Sequence, residues 1–465
     1  MPTPSAAACA WNSDRCNRPR KADSFPLPLP DLISHLPPAP RYWVAYSGGL
    51  DSEVLLHLLA ENRQALSGEL AAVHVNHGLQ AEADAWEARC QRRCAGLGIP
   101  LKRFRLGLRP IQGESLEALA RTARYRVFRQ LLAPGELLLT AHHRDDQAET
   151  LLLALLRGSG LKGLAAMPKQ APLGAGQLLR PLLDEDRKTL LRYAREQGLS
   201  WISDPMNQDL ALDRSYLRHQ IIPELKSRWP SCAATIARSA RHCAEAQALL
   251  EEVLEETLPH YGGRAGNSLS IRKLLAASPA RQSALLRHWI ARRALPVPDS
   301  RHLQRIQREV LRAAPDRSPL VAWRGAEIRR YRDDLFALPP LPPVPKAVLC
   351  WKQGKLTLPE SLGQLRLTDP NGRQVDPITY WSMGLQVQFS AEERGCRPLG
   401  RGHYRRFKQL FQEAGIPPWL RSYLPYLFAG DQLVALGDRW CCVRAPAFQV
   451  RWEGGLREIL VKGEG

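Results

Sequence analysis

Between residues 42 and 157 the apolar positions alternate between two rhythms. Tyr42–Tyr46, Leu70–Asn76, Leu101–Leu106 and Glu136–Ala141 are short apolar runs that read as buried strands. Between them, Glu53–Leu66, Ala81–Leu97, Ser115–Leu132 and Asp145–Arg157 carry apolar residues at helical spacing. This alternation predicts an α/β domain, a doubly wound parallel sheet with helices on both faces. The texture changes near Trp229. Ala234–Leu258, Ile271–Leu275, Arg281–Ala294 and Ser300–Ala313 read as helices, and Leu320–Trp323 with Glu327–Arg332 as a closing hairpin. The proline-rich stretch 338–346 reads as a stiff linker. Beyond it, strand patterns at Leu385–Phe389, Gln432–Leu436, Trp440–Val443 and Phe448–Trp452 surround one helix, Tyr404–Ala414. The expected organisation is a disordered N-terminal extension (1–37), the α/β domain (38–228), a mainly helical middle domain (229–337), a linker and connecting segment (338–384) and a small α+β C-terminal domain (385–465).

Charge adds a partner to this picture. The chain has 465 residues, with Lys+Arg 65 against Asp+Glu 46 and a formal charge of +19. An excess of that size argues for a polyanion, with nucleic acid the first candidate and an anionic membrane surface the second. The apolar fraction of 44% is enough for real cores. No apolar run approaches the ~18 residues that span a bilayer, so no membrane partner is expected. The ten cysteines include no C-x-x-C pair and no zinc-like spacing, and read as reduced thiols of a cytoplasmic protein. The N-terminus lacks the apolar core of a secretory signal, and Asp14 and the prolines argue against a transit peptide.

Candidate chemistry begins where the first strand runs into Ser47-Gly48-Gly49-Leu50-Asp51-Ser52 and then a helix. Glycines let backbone N–H groups approach an anion, and a helix N-terminus adds partial positive charge. The alternative is an ordinary Gly-Gly turn before a capped helix. The G-x-x-x-x-G-K-[ST] spacing of a Walker loop is missing. Asp51 is awkward beside phosphates unless a cation sits between them.

Further segments gather at the same sheet edge. His74-Val75-Asn76-His77-Gly78-Leu79 ends the second strand, where ligand loops of open α/β sheets lie; His77 and Asn76 there suit a nucleotide or simply a polar turn. Glu117, Arg121 and Arg124 share a helical face, fit either for phosphates and an RNA base or for solvated ion pairing. His142, Asp145 or Asp146, and Glu149 are spaced to line one helical face after the fourth strand. Clustered carboxylates suit Mg²⁺, with Asp145 and Asp146 the candidate ligands, or the binding and deprotonation of an amine. They also suit a helix dipole with no chemistry at all. Arg214 and Arg218, four residues apart, fit phosphates or a surface helix. Arg394, Arg397, Arg401, Arg405, Arg406 and Lys408, interleaved with Tyr404 and Phe407, form a basic cluster suited to an RNA backbone.

The S-G-G-L-D-S loop resembles the pyrophosphate-binding loop of the N-type ATP pyrophosphatase (PP-loop) superfamily, whose members split ATP between the α and β phosphates. The four further segments, with Arg180-Pro181-Leu182-Leu183, Trp323-Arg324-Gly325, Arg330-Tyr331-Arg332, Cys396-Arg397-Pro398 and Gly415-Ile416-Pro417-Pro418-Trp419, resemble the tRNA(Ile)-lysidine synthases from about Arg41 onward. Residues 1–37 exceed what that pattern requires, and Ser215 stands where Asn is expected. The resemblance implies a ligase that joins free L-lysine to the wobble cytidine of tRNA(Ile) with a CAU anticodon, using ATP and Mg²⁺. It implies that Ser47, Gly48, Gly49, Leu50, Asp51, Ser52, His77 and His142 bind ATP. Asp51, Arg121, Arg124, Asp145 and Glu149 would be catalytic, and Arg214, Arg218, Arg397, Arg401, Arg405, Arg406 and Lys408 would hold tRNA. It leaves a homodimer open. The competing readings are a tRNA cytidine 2-thiolation enzyme, which the lack of C-x-x-C disfavours, and a non-catalytic RNA-binding protein, which the intact loop disfavours.

Overall fold

The computed structural model describes residues 29, 31–108, 116–314, 317–389, 395–399, 403–442 and 448–455. The chain divides into two compact units, Met1–Leu249 and Leu250–Gly465. The first is built on a six-stranded sheet of β1 (Arg41–Ala45), β2 (Glu69–Asn76), β3 (Leu101–Arg105), β4 (Leu137–Leu139), β5 (Gln170–Leu173) and β6 (Gly176–Leu179), in the order β3-β2-β1-β4-β6-β5. Five strands are parallel, and β5 joins β6 as an antiparallel edge. The strands β1 and β4 lack an alternating pattern because both sheet faces are covered: Val44, Leu138 and Leu139 are all fully buried. The helix Leu50–Glu61 buries Val54, Leu55, Leu56, Leu58 and Leu59, apolar around most of its girth, as a helix enclosed by its neighbours must be. Strand order reverses between β1 and β4. In open α/β sheets the ligand crevice lies outside the carboxyl ends of the strands at that reversal.

The first unit matches the pattern along the chain, with four differences. Part of the expected disordered extension is ordered, since Leu29 and Ile33, the latter on the helix Asp31–Ser34, are buried in the core. The β5–β6 hairpin was not legible, since its strands have four residues each and Pro172 interrupts one. The helix Arg187–Glu196, capped by Asp186 on the Thr189 N–H at 2.7 Å, was likewise missed. The phosphate-loop helix also starts earlier than its apolar spacing indicates, at Leu50 rather than Glu53, which puts Asp51 and Ser52 in its first turn.

In the second unit the middle segment holds more strand than a mainly helical reading implies. β7 (Leu269–Ser270), β8 (Leu320–Trp323), β9 (Ala326–Tyr331) and β10 (Asp334–Leu338) form an antiparallel sheet in the order β7-β10-β9-β8. The expected hairpin is β8–β9, and β10 continues it to Leu338, a buried residue at the expected start of the linker. The helices Pro279–Arg292 and Ser300–Arg305 contribute Leu285, Leu286, Ile290 and Leu303 to its core. The expected connecting segment is folded rather than extended. Leu349–Trp351 pairs with Leu385–Gln388, and Gln364–Thr368 pairs with Gln449–Glu453. Such pairings are far apart along the chain, which local periodicity does not report. Trp419 stands edge-on to Tyr331 and Phe336, with ring centroids 6.3 and 5.9 Å away, and the Arg329 guanidinium lies 5.5 Å over its ring. The middle and C-terminal motifs therefore meet at one indole.

Trp351 tests the placement of residues 349–368. It is 1% exposed and donates its indole N–H to the Gly354 carbonyl at 3.0 Å. Trp351→Ala is expected to cost ~3–5 kcal/mol in denaturant unfolding of the full chain, as for a core aromatic. A cost within ~0.5 kcal/mol would mean a linker position instead.

Candidate active site

The loop after β1 is held open by its own residues. Gly48 has φ +82°, a left-handed conformation that favours glycine, and a Cβ there would lie 2.5 Å from Ile202 Cδ1 and 2.9 Å from Cys90 Sγ. The Gly48 carbonyl accepts the Ile202 N–H at 2.8 Å. The Ser47 hydroxyl accepts the Gly49 N–H at 3.3 Å and lies 3.0 Å from the Ser52 hydroxyl, which donates to the Gly49 carbonyl at 3.0 Å. No side chain caps the helix at Gly49, so its first-turn N–H groups, which have no partner within a helix, remain available for an anion. Beneath the loop, Glu53 is 1% exposed and accepts the Tyr46 hydroxyl at 2.5 Å and Arg93 Nε at 2.6 Å, tying the loop helix to Ala83–Gly96. Burial pushes the thiols of Cys90 and Cys94 beside it up to about 12.

The acidic helix, Arg144–Leu156, starts at the carboxyl end of β4 and faces the loop. His142 precedes this helix rather than lying on its face, and the N-cap is His143. The His143 N–H donates to Asp146 Oδ2 at 3.0 Å, and its ring Nδ1 accepts the Asp146 N–H at 3.4 Å. Its Nε2 lies 3.6 Å from Asp51 Oδ2 and 3.4 Å from Asp146 Oδ2, so a fully buried ring joins the loop to the helix. Burial disfavours the His143 cation, but Asp51, Asp146 and Asp145 outweigh it and hold its pKa above the ordinary value. The other carboxylate oxygen of Asp51 is buried with no hydrogen-bond partner in the structure.

The remaining carboxylates are engaged by basic side chains. Glu149, fully buried, accepts Arg214 Nε at 2.8 Å and Arg218 Nε at 2.6 Å. Asp146 accepts Arg218 Nη2 at 2.8 Å and Arg214 Nη2 at 3.3 Å. Burial raises the Asp146 pKa, yet His143, Arg214 and Arg218 bring it down to about 2. Asp145 pairs with Lys226 and accepts the Arg187 N–H at 3.0 Å. Asp145 and Glu149 thus reach different partners instead of forming one open face. Arg214 and Arg218 face inward rather than lying on a surface helix. Among the described residues no group of three or more His, Cys, Asp or Glu side chains is placed to hold a metal ion.

The two histidines expected near ATP are neutral at pH 7. Burial, with Arg180, Arg214 and Arg121 nearby, pushes His142 down to about 3; burial, with Arg124 and His74, pushes His77 down to about 4. His142 Nδ1 lies 2.9 Å from the Thr140 hydroxyl, and His77 Nδ1 is buried without a partner. Arg121 stacks over Tyr125 at 4.9 Å. A polar pocket lined by Pro40, Arg41, Glu69 and Glu136 lies at the amino ends of β1 and β2, the wrong edge for the loop, and Arg41 already pairs with both its acids.

Comparison with known proteins addresses the whole chain. A PP-loop domain matches residues 29–225, a TilS substrate binding domain residues 269–336, and a TilS substrate C-terminal domain residues 385–454. The tRNA(Ile)-lysidine synthase of Methylococcus capsulatus is 43% identical over 419 residues, 89% of this chain and 95% of that protein. Those of Yersinia pseudotuberculosis and Coxiella burnetii are 44% and 39% identical over 84% and 92% of this chain, covering 90% and 95% of theirs. The chain belongs to the tRNA(Ile)-lysidine synthase family. Among solved structures, the U34-tRNA thiolase NcsA from Methanococcus maripaludis shares 19% identity over 47% of this chain and 78% of its own, with a TM-score of 0.41.

The basic cluster of this lysidine synthase family member lies in part at the surface. Arg397, Tyr404, Arg405, Arg406 and Lys408 are exposed, on and around a two-strand pairing of Gly395–Cys396 with Arg405–Arg406. Phe407 is a correction: it is buried against Phe411 and Tyr426 and offers nothing to a ligand. Arg394 and Arg401 lie outside the described residues. Sequence reasoning missed His143, whose signal was the capping spacing His143-x-x-Asp146, and Lys226, for which the sequence held no signal.

Two outcomes follow from this electrostatic arrangement. Glu149→Gln removes the charge that faces two largely buried guanidiniums and is expected to destabilise the first unit by ~3–5 kcal/mol in urea unfolding; a loss under ~1 kcal/mol would mean the pair is solvent-screened. The depressed histidines make the fold acid-sensitive. An unfolded histidine titrates near ~6.5. As the pH falls below that value the unfolded chain takes up protons that folded His142 and His77 refuse, so stability drops by about 1.4 kcal/mol per pH unit for each. His142→Asn should remove one such slope between about pH 6 and 4; an unchanged slope would show that His142 is solvated.

Proposed function

We propose that this chain is an ATP-dependent carbon–nitrogen ligase that joins lysine to C2 of the wobble cytidine of CAU-anticodon tRNA(Ile). The modified base pairs with A instead of G, and charging changes from methionine to isoleucine. The observation that carries the reading is membership of the family across all three matched segments. The thiolation alternative draws no support from paired cysteines, and a non-catalytic role would leave the pre-formed loop without a purpose.

Cytosine O2 attacks the α-phosphorus of ATP, pyrophosphate leaves, and the lysine ε-amine then attacks C2 and expels AMP. The Ser47–Ser52 backbone and hydroxyls would hold the phosphates that depart. Neutral His77 and His142 would hydrogen-bond the nucleotide without adding charge. Arg121 and Arg124 would stabilise charge that develops on the α-phosphate. The orphaned Asp51 oxygen fits a cation at the edge of the phosphates. Mg²⁺, commonly held by one or two carboxylates plus phosphate oxygens, would neutralise phosphate charge there. Asp145 and Asp146 are less open to it, since Lys226 and the arginines already face them. The lysine amine, with a free pKa near ~10.4, needs a base to react at pH 7. Asp51, linked to His143, is the carboxylate we favour. Asp145 and Glu149 would then shape the site through their ion pairs. Arg397, Arg405, Arg406 and Lys408, with Arg401, would grip the RNA backbone, and Arg214 and Arg218 would reach RNA only by releasing their acids. We place the reaction in the cytoplasm, where tRNA, ATP and lysine meet.

The test is incorporation of radiolabelled lysine. Purified protein with ATP, Mg²⁺ and a CAU tRNA(Ile) transcript is expected to label the RNA and release AMP and pyrophosphate, and Asp51→Asn to fall at least ~100-fold, within the range of lost acid–base catalysis. Release of AMP without label in the RNA would reject the ligase reading, and wild-type labelling by Asp51→Asn would reject that residue's role.

A further inference from the structure

Arg180 is a buried cation that meets no carboxylate among the described residues. It follows β6 and is 5% exposed. Its Nη1 donates to the Pro168 carbonyl at 2.6 Å, while its Nε is buried with no partner. Among the described residues no carboxylate lies within ion-pair distance of it. A guanidinium carries five donors and cannot shed its charge in a protein. Leaving one buried without a counter-ion costs several kcal/mol, so such a site is retained where a ligand supplies the charge.

Another buried arginine, Arg330, and the half-buried Arg293 show what a purely structural solution looks like here. Arg330, 8% exposed, donates through Nε to the Arg332 carbonyl and through Nη1 to the Leu311 and Ala313 carbonyls. Arg293 donates through Nε to Ala337 and through Nη1 to Asn267. Each fork is filled by backbone oxygens along two directions. Arg180 has one backbone oxygen, that of Pro168, and the Tyr125 hydroxyl beside it, and its Nε is left unfilled.

Its location gives the empty direction a meaning. The Thr140 N–H donates to the Leu179 carbonyl at 3.0 Å, so the chain leaves β4 toward His142 and leaves β6 at Arg180 side by side. Burial and the neighbouring Arg121 depress the Arg180 pKa, while Tyr125 works the other way, which places all three groups together. Arg121 stacks on the ring of Tyr125, whose hydroxyl lies beside Arg180, and Arg121 has no carboxylate at ion-pair distance among the described residues. Two guanidiniums, a phenol and a neutral imidazole thus converge at the carboxyl edge, and no acid of the described residues faces Arg180. We propose that Arg180, with Arg121, forms a phosphate subsite that binds one phosphate group of the reacting substrates. That phosphate belongs either to ATP or to the RNA backbone beside the target cytidine. The inference rests on the ATP- and RNA-dependent function proposed above.

Binding separates the two sources and does not need turnover. Full-length wild type and Arg180→Gln are titrated with α,β-methylene-ATP, and with a tRNA(Ile) transcript carrying either a natural phosphate or a neutral methylphosphonate 5′ to the wobble cytidine. A charge-assisted contact of this kind, at about 1.5–3 kcal/mol, gives a ~10–150-fold change in Kd. If ATP supplies the phosphate, the variant loses that factor for the analogue alone. If RNA supplies it, analogue binding is unchanged, and the methylphosphonate weakens wild type but not the variant. A folded variant that binds both ligands like wild type overturns the subsite and leaves Arg180 as an anchor for Pro168. If Arg180→Gln does not fold, Arg180→Lys, which keeps the cation and loses the fork, carries the same titrations. If that too fails, hydrogen exchange of wild-type residues 176–183 decides: protection by either ligand supports the subsite, and none rejects it. Loss of lysine incorporation in wild type, with the Arg180 effect intact, would reject the ligase reading and leave the subsite standing.

Discussion

Two buried carboxylates and two guanidiniums organise the catalytic unit. Asp146 and Glu149 leave one turn of the acidic helix and are met by Arg214 and Arg218, which come from Asp213–Tyr216 and the π-helical turn Leu217–Ile221. In a poorly solvated interior neither pair is tolerable without the other. The quartet therefore fixes the angle at which the acidic helix starts, and that angle sets His143. His143 in turn reaches Asp51 on the phosphate loop. A constraint among four charges is passed through one imidazole to the carboxylate nearest the loop.

The same edge is electrically divided. On the loop side the protein offers backbone N–H groups and one half-satisfied acid. On the β4–β6 side it offers Arg121 and Arg180, and a neutral His142 that their charge helps to keep neutral. A polyanion at this edge would meet donors and cations from two directions. The acids that would repel them are either capped by arginine and lysine or, for Asp51, left one oxygen short of a partner.

Much of this was legible in the chain because it is local. Runs such as Tyr42–Tyr46 and Glu136–Ala141 encode a parallel sheet by being apolar on both faces, and the Ser47–Ser52 spacing encodes the glycine turn between a strand and a helix. What failed was non-local or conditional on packing. Nothing near Asp145 announces Lys226, which is 81 residues away. The residues Leu349–Trp351 look like linker because their partner strand begins only at Leu385. Phe407 sits among basic residues yet packs inward, since the helix Phe407–Glu413 needs an apolar stripe and Phe407, Leu410 and Phe411 supply it. Arg214 and Arg218 were visible as a pair, but only the fold reveals that their acids lie on another helix.

The thiol of Cys90 lies under Gly48, close enough that glycine is required above it. Burial holds it, with Cys94, almost entirely as the unreactive thiol at neutral pH. Oxidants act on the thiolate and need access to it. The floor of the Gly48 turn is thus chemically silent: two sulfurs fill space there without becoming a redox sensor, and the turn keeps its shape under conditions that modify exposed cysteines.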